Sequence, residues 1–165
     1  MLTNLSTTNT ILCEWLREIR DTSLQMDRMR FRRNMERIGE IAAYEISKVL
    51  PWQQADIQTP MGELNCSCLA AQPVLATILR AGLPLHQGLL NYFDKADSAF
   101  VAAYRKHHRD GSFEIEQQYI TSPTLDDRIL IISDPMLATG ASMVLALQTL
   151  LEEATPAQIH IVTAI

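Results

Sequence analysis

The stretch Ile129-Leu-Ile-Ile-Ser-Asp134-Pro-Met-Leu-Ala138-Thr-Gly-Ala-Ser142 holds the residue types from which an anion site beside an acid can be built. Four apolar β-formers run into Asp134, so its carboxylate stands at the carboxyl end of a buried strand. A short loop with Thr139 and Gly140 follows, then an amphipathic helix that starts near Ser142. The first turn of a helix has unpaired N–H groups and the positive end of the helix dipole, and both favour an anion. A carboxylate beside such a cradle suits a sugar phosphate: the acid takes ribose hydroxyls and the cradle takes the phosphate. Strand–glycine loop–helix turns also occur in any α/β domain, so spacing alone leaves a plain structural reading open.

Two cationic features accompany the acid. The apolar run 74–79 ends in Arg80-Ala-Gly82. Gly82 allows close backbone approach, and the planar fork of Arg80 matches pyrophosphate oxygens. Taken alone, an arginine at a strand end with glycine at a helix entry reads first as a structural device. The run Arg105, Lys106, His107, His108, Arg109 is dense in cations, as a flap meeting an anion should be. Lys106, His107 and His108 individually read as a solvated basic hairpin. Neighbouring histidines without partner acids are weak evidence for a metal.

The elements that must position these residues follow from periodicity. A short helix over 10–18, a turn near Asp21 and a long helix to about Val49 make an N-terminal arm. Thr22 with Gln25 reads as a capping box, and Met26, Met29, Ile38, Ala42 and Ile46 recur at helical spacing. Residues 63–70 alternate as a half-buried strand after the turn Thr59-Pro-Met-Gly62, which predicts a hairpin arm. From Pro73 the pattern is α/β: strand 74–79, helix to Tyr92, strand 99–104, loop 105–112, strand 113–120, strand 128–133, helix 142–152 and a buried-looking strand 159–165. Strands alternating with helices imply a mainly parallel sheet with ligands at the strand carboxyl ends.

At 165 residues the chain is one domain's worth of sequence, divided here into a helical arm (1–51), a hairpin arm (52–72) and an α/β core (73–165). Its 47% apolar and 20% charged residues are ordinary for a soluble protein, and a net charge of −5 argues against nucleic acid as a partner. Residues 17–37 carry seven arginines against four acids, interspersed as for helix packing or subunit contacts. The three cysteines cannot all pair, and Cys66-x-Cys68 has no second ligand pair, so reduced thiols in a cytoplasm are expected. No signal peptide and no membrane-length apolar run is visible.

The string Asp134-Pro-Met-Leu-Ala-Thr-Gly140 resembles the phosphoribosyl-diphosphate (PRPP) motif of type I phosphoribosyltransferases, in the form found in uracil phosphoribosyltransferases. Most of that superfamily has a second acid where Pro135 stands. Ile78-Leu-Arg-Ala-Gly-Leu83, Tyr104-Arg105, Asp21-Thr-Ser, Phe31-Arg-Arg33, Ile38-Gly-Glu-Ile-Ala-Ala-Tyr-Glu45 and Thr59-Pro-Met-Gly62 resemble further segments of the same enzymes.

The resemblance implies the type I phosphoribosyltransferase fold and the reaction of uracil with PRPP to give UMP and pyrophosphate. It implies catalytic roles for Asp134, Arg80 and Arg105, with PRPP held by Arg80, Arg105, Asp134, Pro135, Met136, Leu137, Ala138, Thr139, Gly140, Ala141 and Ser142. Magnesium is carried on the PRPP diphosphate rather than ligated directly, GTP is a possible effector, and a homodimer or larger homo-oligomer is expected in the cytoplasm. The uracil-reading segment of the family lies downstream of the motif, so it is expected beyond Ile165, and a core ending on strand 159–165 reads as C-terminally incomplete. Rival readings are a non-catalytic PRPP-binding protein on the same fold, a phosphoribosyltransferase for another base, and an assembly module built on the long helix and hairpin.

Overall fold

The computed structural model describes residues 1–107, 113–152 and 154–165, and for 103–107 and 113–118 the backbone alone. Helix α1 (Ile11–Arg20) buries Leu12, Leu16 and Ile19, a stripe at helical spacing. It stops at Asp21, whose carboxylate accepts from the Ser23 N–H at 2.8 Å and the Ser23 hydroxyl at 2.6 Å. Helix α2 (Arg28–Ser47) starts at Asp27, whose Oδ1 accepts from the N–H groups of Met29 and Arg30 at 3.1 and 3.0 Å. The expected capping box at Thr22 and Gln25 is therefore not the helix start. Asp21 draws residues 22–25 into a turn, its carbonyl accepting from the Leu24 and Gln25 N–H groups, and Asp27 supplies the better-placed cap. Met26 and Met29, expected on the buried face, are exposed; Met35, Ile38, Ala42 and Ala43 form that face instead.

Strands β1 (Trp52–Thr59) and β2 (Gly62–Leu69) make the expected hairpin as a separate two-stranded sheet, with Thr59 opposite Gly62. Leu64 is exposed because the hairpin projects from the core, and the half-buried alternation begins only at Cys66 and Cys68, both free thiols.

The core follows as β3 (Val74–Leu79), α3 (Leu83–Tyr92), β4 (Asp97–His107), β5 (Phe113–Thr121), β6 (Ile129–Ser133), α4 (Ala141–Leu150) and β7 (Gln158–Val162). The sheet order is β5-β4-β3-β6-β7, parallel except for β5, which runs antiparallel to β4. Leu75, Ile129 and Ile131 pack on α1–α3 on one face. Val74, Ala76, Leu130 and Ile132 pack on Met143, Ala146 and Leu150 of α4 on the other. Burial on both faces is why β3 and β6 read as unbroken apolar runs. Helix α3 sits tightly on α2: a Cβ on Gly88 would lie 1.9 Å from the Glu36 carbonyl oxygen, and one on Gly39 2.3 Å from that of Leu85.

Two strand expectations are corrected. β4 starts at Asp97 and continues to His107, so Arg105, Lys106 and His107 are strand rather than loop. The antiparallel partner β5 serves their backbone groups, with Arg105 opposite Ile115, and polar side chains do not end a paired strand. Arg109 and the rest of 108–112 lie outside the described residues. Among the described residues β7 closes the sheet, its Ile159 and Ile161 are 41% and 50% exposed, and its other face, through Val162, joins the core. Among the described residues no helix is long and apolar enough to cross a membrane.

Candidate active site

β3 and β6 lie side by side, and Thr77 opposite Ser133 is their last register pair. Beyond it β3 runs on to Leu79 and Arg80, while β6 passes into Asp134. On its other edge β3 pairs with β4 as far as Leu79 opposite Ala102, so Arg105 lies three residues further along β4. Three separate stretches of sequence thus deliver Arg80, Arg105 and Asp134 to one carboxyl end of the sheet, the end at which α/β folds bind ligands.

Arg80 is exposed, and its guanidinium makes no hydrogen bond or ion pair among the described residues. The Leu79–Arg80 peptide bond is cis. The loop returns at once: the Gly82 N–H donates to the Ile78 carbonyl at 3.1 Å. Gly82 is buried against Thr77, where a Cβ would come within 2.0 Å of Oγ1. That contact, rather than backbone freedom, is what requires glycine here, and it seats α3 directly behind the arginine.

Asp134 is half-buried, and its carboxylate likewise has no partner among the described residues. Burial pushes its carboxyl above the usual aspartate value. A partly desolvated carboxylate without a donor favours a ligand that brings hydroxyls or positive charge.

The following loop is fastened before it reaches α4. The buried Pro135 offers its carbonyl to the N–H groups of Ala164 and Ile165 at 3.3 and 3.1 Å, and the Leu137 N–H donates to the Ile165 carbonyl at 2.9 Å. Ala138 and Gly140 have φ of +49° and +77°, the left-handed region in which successive N–H groups can turn to one side. The cradle is narrower than the expected span of 137–142. Leu137 and Gly140 give their N–H groups to Ile165 and Leu137, and that of Ala141 reaches the Thr139 hydroxyl at 3.5 Å. The N–H groups of Ala138, Thr139, Ser142 and Met143 make no backbone bond among the described residues. They stand at the N-terminus of a ten-residue helix. The side chains of Met136 and Leu137 are exposed.

Among the described residues no three His, Cys, Asp or Glu side chains converge as a metal cluster. The Asp134 carboxylate and the Thr139 hydroxyl are nonetheless oxygen donors of the kind magnesium takes directly or through water, and they fit a metal that arrives on a ligand. An open cleft at the opposite end of the sheet, lined by Ser122, Thr124, Leu150 and Glu152, offers no cation among the described residues.

Sequence reasoning passed over Thr77 and Ser133. Both are completely buried and bonded to each other at the point where β3 and β6 part. The signal was present: each is the lone hydroxyl of an otherwise apolar strand, Thr77 inside β3 and Ser133 at the end of β6.

The model of the uracil phosphoribosyltransferase family matches residues 6–165. The chain belongs to the uracil phosphoribosyltransferase family. It is 52% identical over 162 residues to the uracil phosphoribosyltransferase of Porphyromonas gingivalis, covering 98% of this chain and 75% of that one. With the uracil phosphoribosyltransferase of Methanothermobacter thermautotrophicus it shares 36% over 152 residues, 91% of this chain and 69% of the other. Among solved structures, the AQ2163 protein from Aquifex aeolicus superposes with a TM-score of 0.84 at 25% identity, covering 99% of this chain and 75% of that one. A purine phosphoribosyltransferase from Pyrococcus horikoshii superposes at 0.54 with 15% identity over 78% of this chain and 71% of that one, a likeness of fold. The α/β architecture is that of the phosphoribosyltransferases, and the chain is a transferase of that class.

Proposed function

We propose that the chain transfers the phosphoribosyl group of PRPP to uracil, giving UMP and pyrophosphate in pyrimidine salvage. The observation that supports this best is the convergence, at the ends of adjacent strands β3 and β6, of a guanidinium, a carboxylate and an N–H cradle that have no partner among the described residues. Family membership supplies the base.

The chemical problem is to break the bond between the ribose anomeric carbon and the diphosphate oxygen. Positive charge grows on the ribose ring and negative charge on the departing pyrophosphate. The N–H groups of Ala138, Thr139, Ser142 and Met143, with the Thr139 and Ser142 hydroxyls, hold the 5′-phosphate and so fix the sugar. Asp134 accepts from the ribose hydroxyls and places its charge near the developing cation. With Pro135 in the position after it, that contribution comes from a single acid. Arg80 takes the diphosphate, with Arg105, carried on β4, as the second cation. Charge held in place before the reaction lowers the barrier without reorganising as the bond breaks. Magnesium, carried on the diphosphate, supplies Lewis-acid neutralisation of the same leaving group. GTP as an effector, a homo-oligomeric state and a cytoplasmic location belong to the same proposal and rest on family resemblance.

A base-competition assay tests the reading. Offered uracil, cytosine, hypoxanthine and guanine together with PRPP and magnesium, the full-length protein forms UMP. A purine nucleotide as the product replaces uracil with another base, and PRPP binding without turnover of any base favours a non-catalytic role.

A further inference from the structure

A single hydroxyl touches both anion loops. Thr77 is completely buried, and its Oγ1 donates to the Ser133 carbonyl at 3.0 Å, the carbonyl of the peptide bond that leads into Asp134. The Ser133 hydroxyl lies 3.1 Å from Thr77 Oγ1 and 3.3 Å from the Ala76 carbonyl, so its one proton has both as acceptors. This bond pair stands where the β3–β6 ladder ends. The backbone of Gly82 is packed on the same Oγ1, close enough that a Cβ there would approach to 2.0 Å. Thr77 Oγ1 therefore contacts the return of the arginine loop on one side and the lead into the acid on the other.

Packing alone does not ask for a hydroxyl at this place. Valine has nearly the shape of threonine, and a buried hydroxyl is unfavourable unless bonded. What the hydroxyl adds is a fixed separation between two loops that meet different ends of one ligand. We propose that Thr77 is a positioning residue: its hydroxyl sets the spacing of the Arg80 loop against Asp134, so that the diphosphate and ribose of one PRPP molecule are engaged together. The inference rests on the PRPP reading above. Removing the hydroxyl leaves the Ser133 carbonyl without that bond and lets the two strand ends shift. A displacement of about 1 Å at such a site costs on the order of a hundredfold in rate.

The test is steady-state kinetics on the full chain, with PRPP and uracil varied separately and each variant assayed below its own unfolding midpoint. Thr77→Val is expected to lower kcat/KM for PRPP by about tenfold or more while the KM for uracil stays within about threefold. Thr77→Ser, which keeps the hydroxyl, recovers PRPP kinetics to within about threefold of the parent. Ser133→Ala leaves the Thr77 bond to the Ser133 carbonyl in place, so it costs stability but affects PRPP kinetics less than Thr77→Val. Thr77→Cys, a near-isostere of the serine variant, serves as the hydroxyl-free partner should the valine variant not fold. Unchanged PRPP kinetics in Thr77→Val and Thr77→Cys overturn the inference, as does a loss in Thr77→Ser or Ser133→Ala as large as theirs. A parent chain that neither binds PRPP nor makes UMP overturns the functional reading as well, which separates the two failures.

Discussion

The Leu137 N–H donates to the Ile165 carbonyl over 2.9 Å, tying the loop after β6 to the segment that follows β7. Pro135 completes the tie by accepting from Ala164 and Ile165. The first half of the motif loop is thus a structural clamp, and the donors that are free among the described residues come after it. Pro135 is buried in that clamp, so it is not a vacant second-acid position. Pro135→Asp is expected to destabilise the fold by about 2 kcal/mol or more, since a carboxylate enters a buried place without a partner. It does not raise the affinity for PRPP. Thermal unfolding together with PRPP titration checks both parts, and tighter PRPP binding would contradict the clamp.

Asp134→Asn and Arg80→Ala each remove a charged group with no structural partner among the described residues. Both proteins are expected to fold with nearly unchanged melting temperatures and to lose about a hundredfold or more in kcat/KM for PRPP. Near-parental activity in both would remove these residues from the site.

The glycines separate strain from collision. Gly140 is left-handed, with no heavy atom within 4 Å of an added Cβ, so Gly140→Ala costs about 1 kcal/mol of backbone strain and raises the KM for PRPP. Gly88→Ala drives a Cβ to 1.9 Å from the Glu36 backbone carbonyl, and Gly82→Ala to 2.7 Å from that of Ile78 as well as into Thr77. These two are expected to cost about 3 kcal/mol each. Chemical denaturation ranks them, and a Gly140 variant less stable than the other two would contradict the geometry.

His86 gives the fold a pH dependence. It is buried on α3, with Nε2 3.2 Å from the Ser98 hydroxyl, its ring tilted against Phe100 and Nδ1 without a partner among the described residues. Burial lowers its pKa from 6.5. The unfolded chain then binds the proton more readily, so the contribution of His86 is intact above the unfolded value and is lost as the pH falls from there toward the depressed folded one. His160, also lowered by burial, acts in the same direction. In His86→Gln the melting temperature should fall less on acidification below about pH 6.5 than in the parent. Equal falls in the two proteins would show that His86 is not responsible.

Much of the core was legible because local pattern and tertiary environment agree there. β3 and β6 are buried on both faces and read as apolar runs, and the acid, the left-handed glycine and the helix follow in chain order. What was not legible depended on distant partners. Arg105 lies on a strand because β5 pairs with it, and Asp27 rather than Thr22 caps α2 because Asp21 closes a turn of its own. Ile159 and Ile161 are exposed because α4 covers β3 and β6 but not β7. The N–H groups of Leu137 and Gly140 are taken by bonds to Ile165 and within the loop, which no local pattern reveals. Thr77 and Ser133 are 56 residues apart, and only the sheet register brings their hydroxyls together.

The most direct test of the site is a crystal structure of the chain with PRPP and magnesium. The 5′-phosphate should lie on the N–H groups of Ala138, Thr139, Ser142 and Met143, the ribose hydroxyls on Asp134 and the diphosphate against Arg80. A PRPP molecule bound away from the carboxyl ends of β3 and β6, or a 5′-phosphate placed on Arg80 instead of the α4 N-terminus, would contradict it.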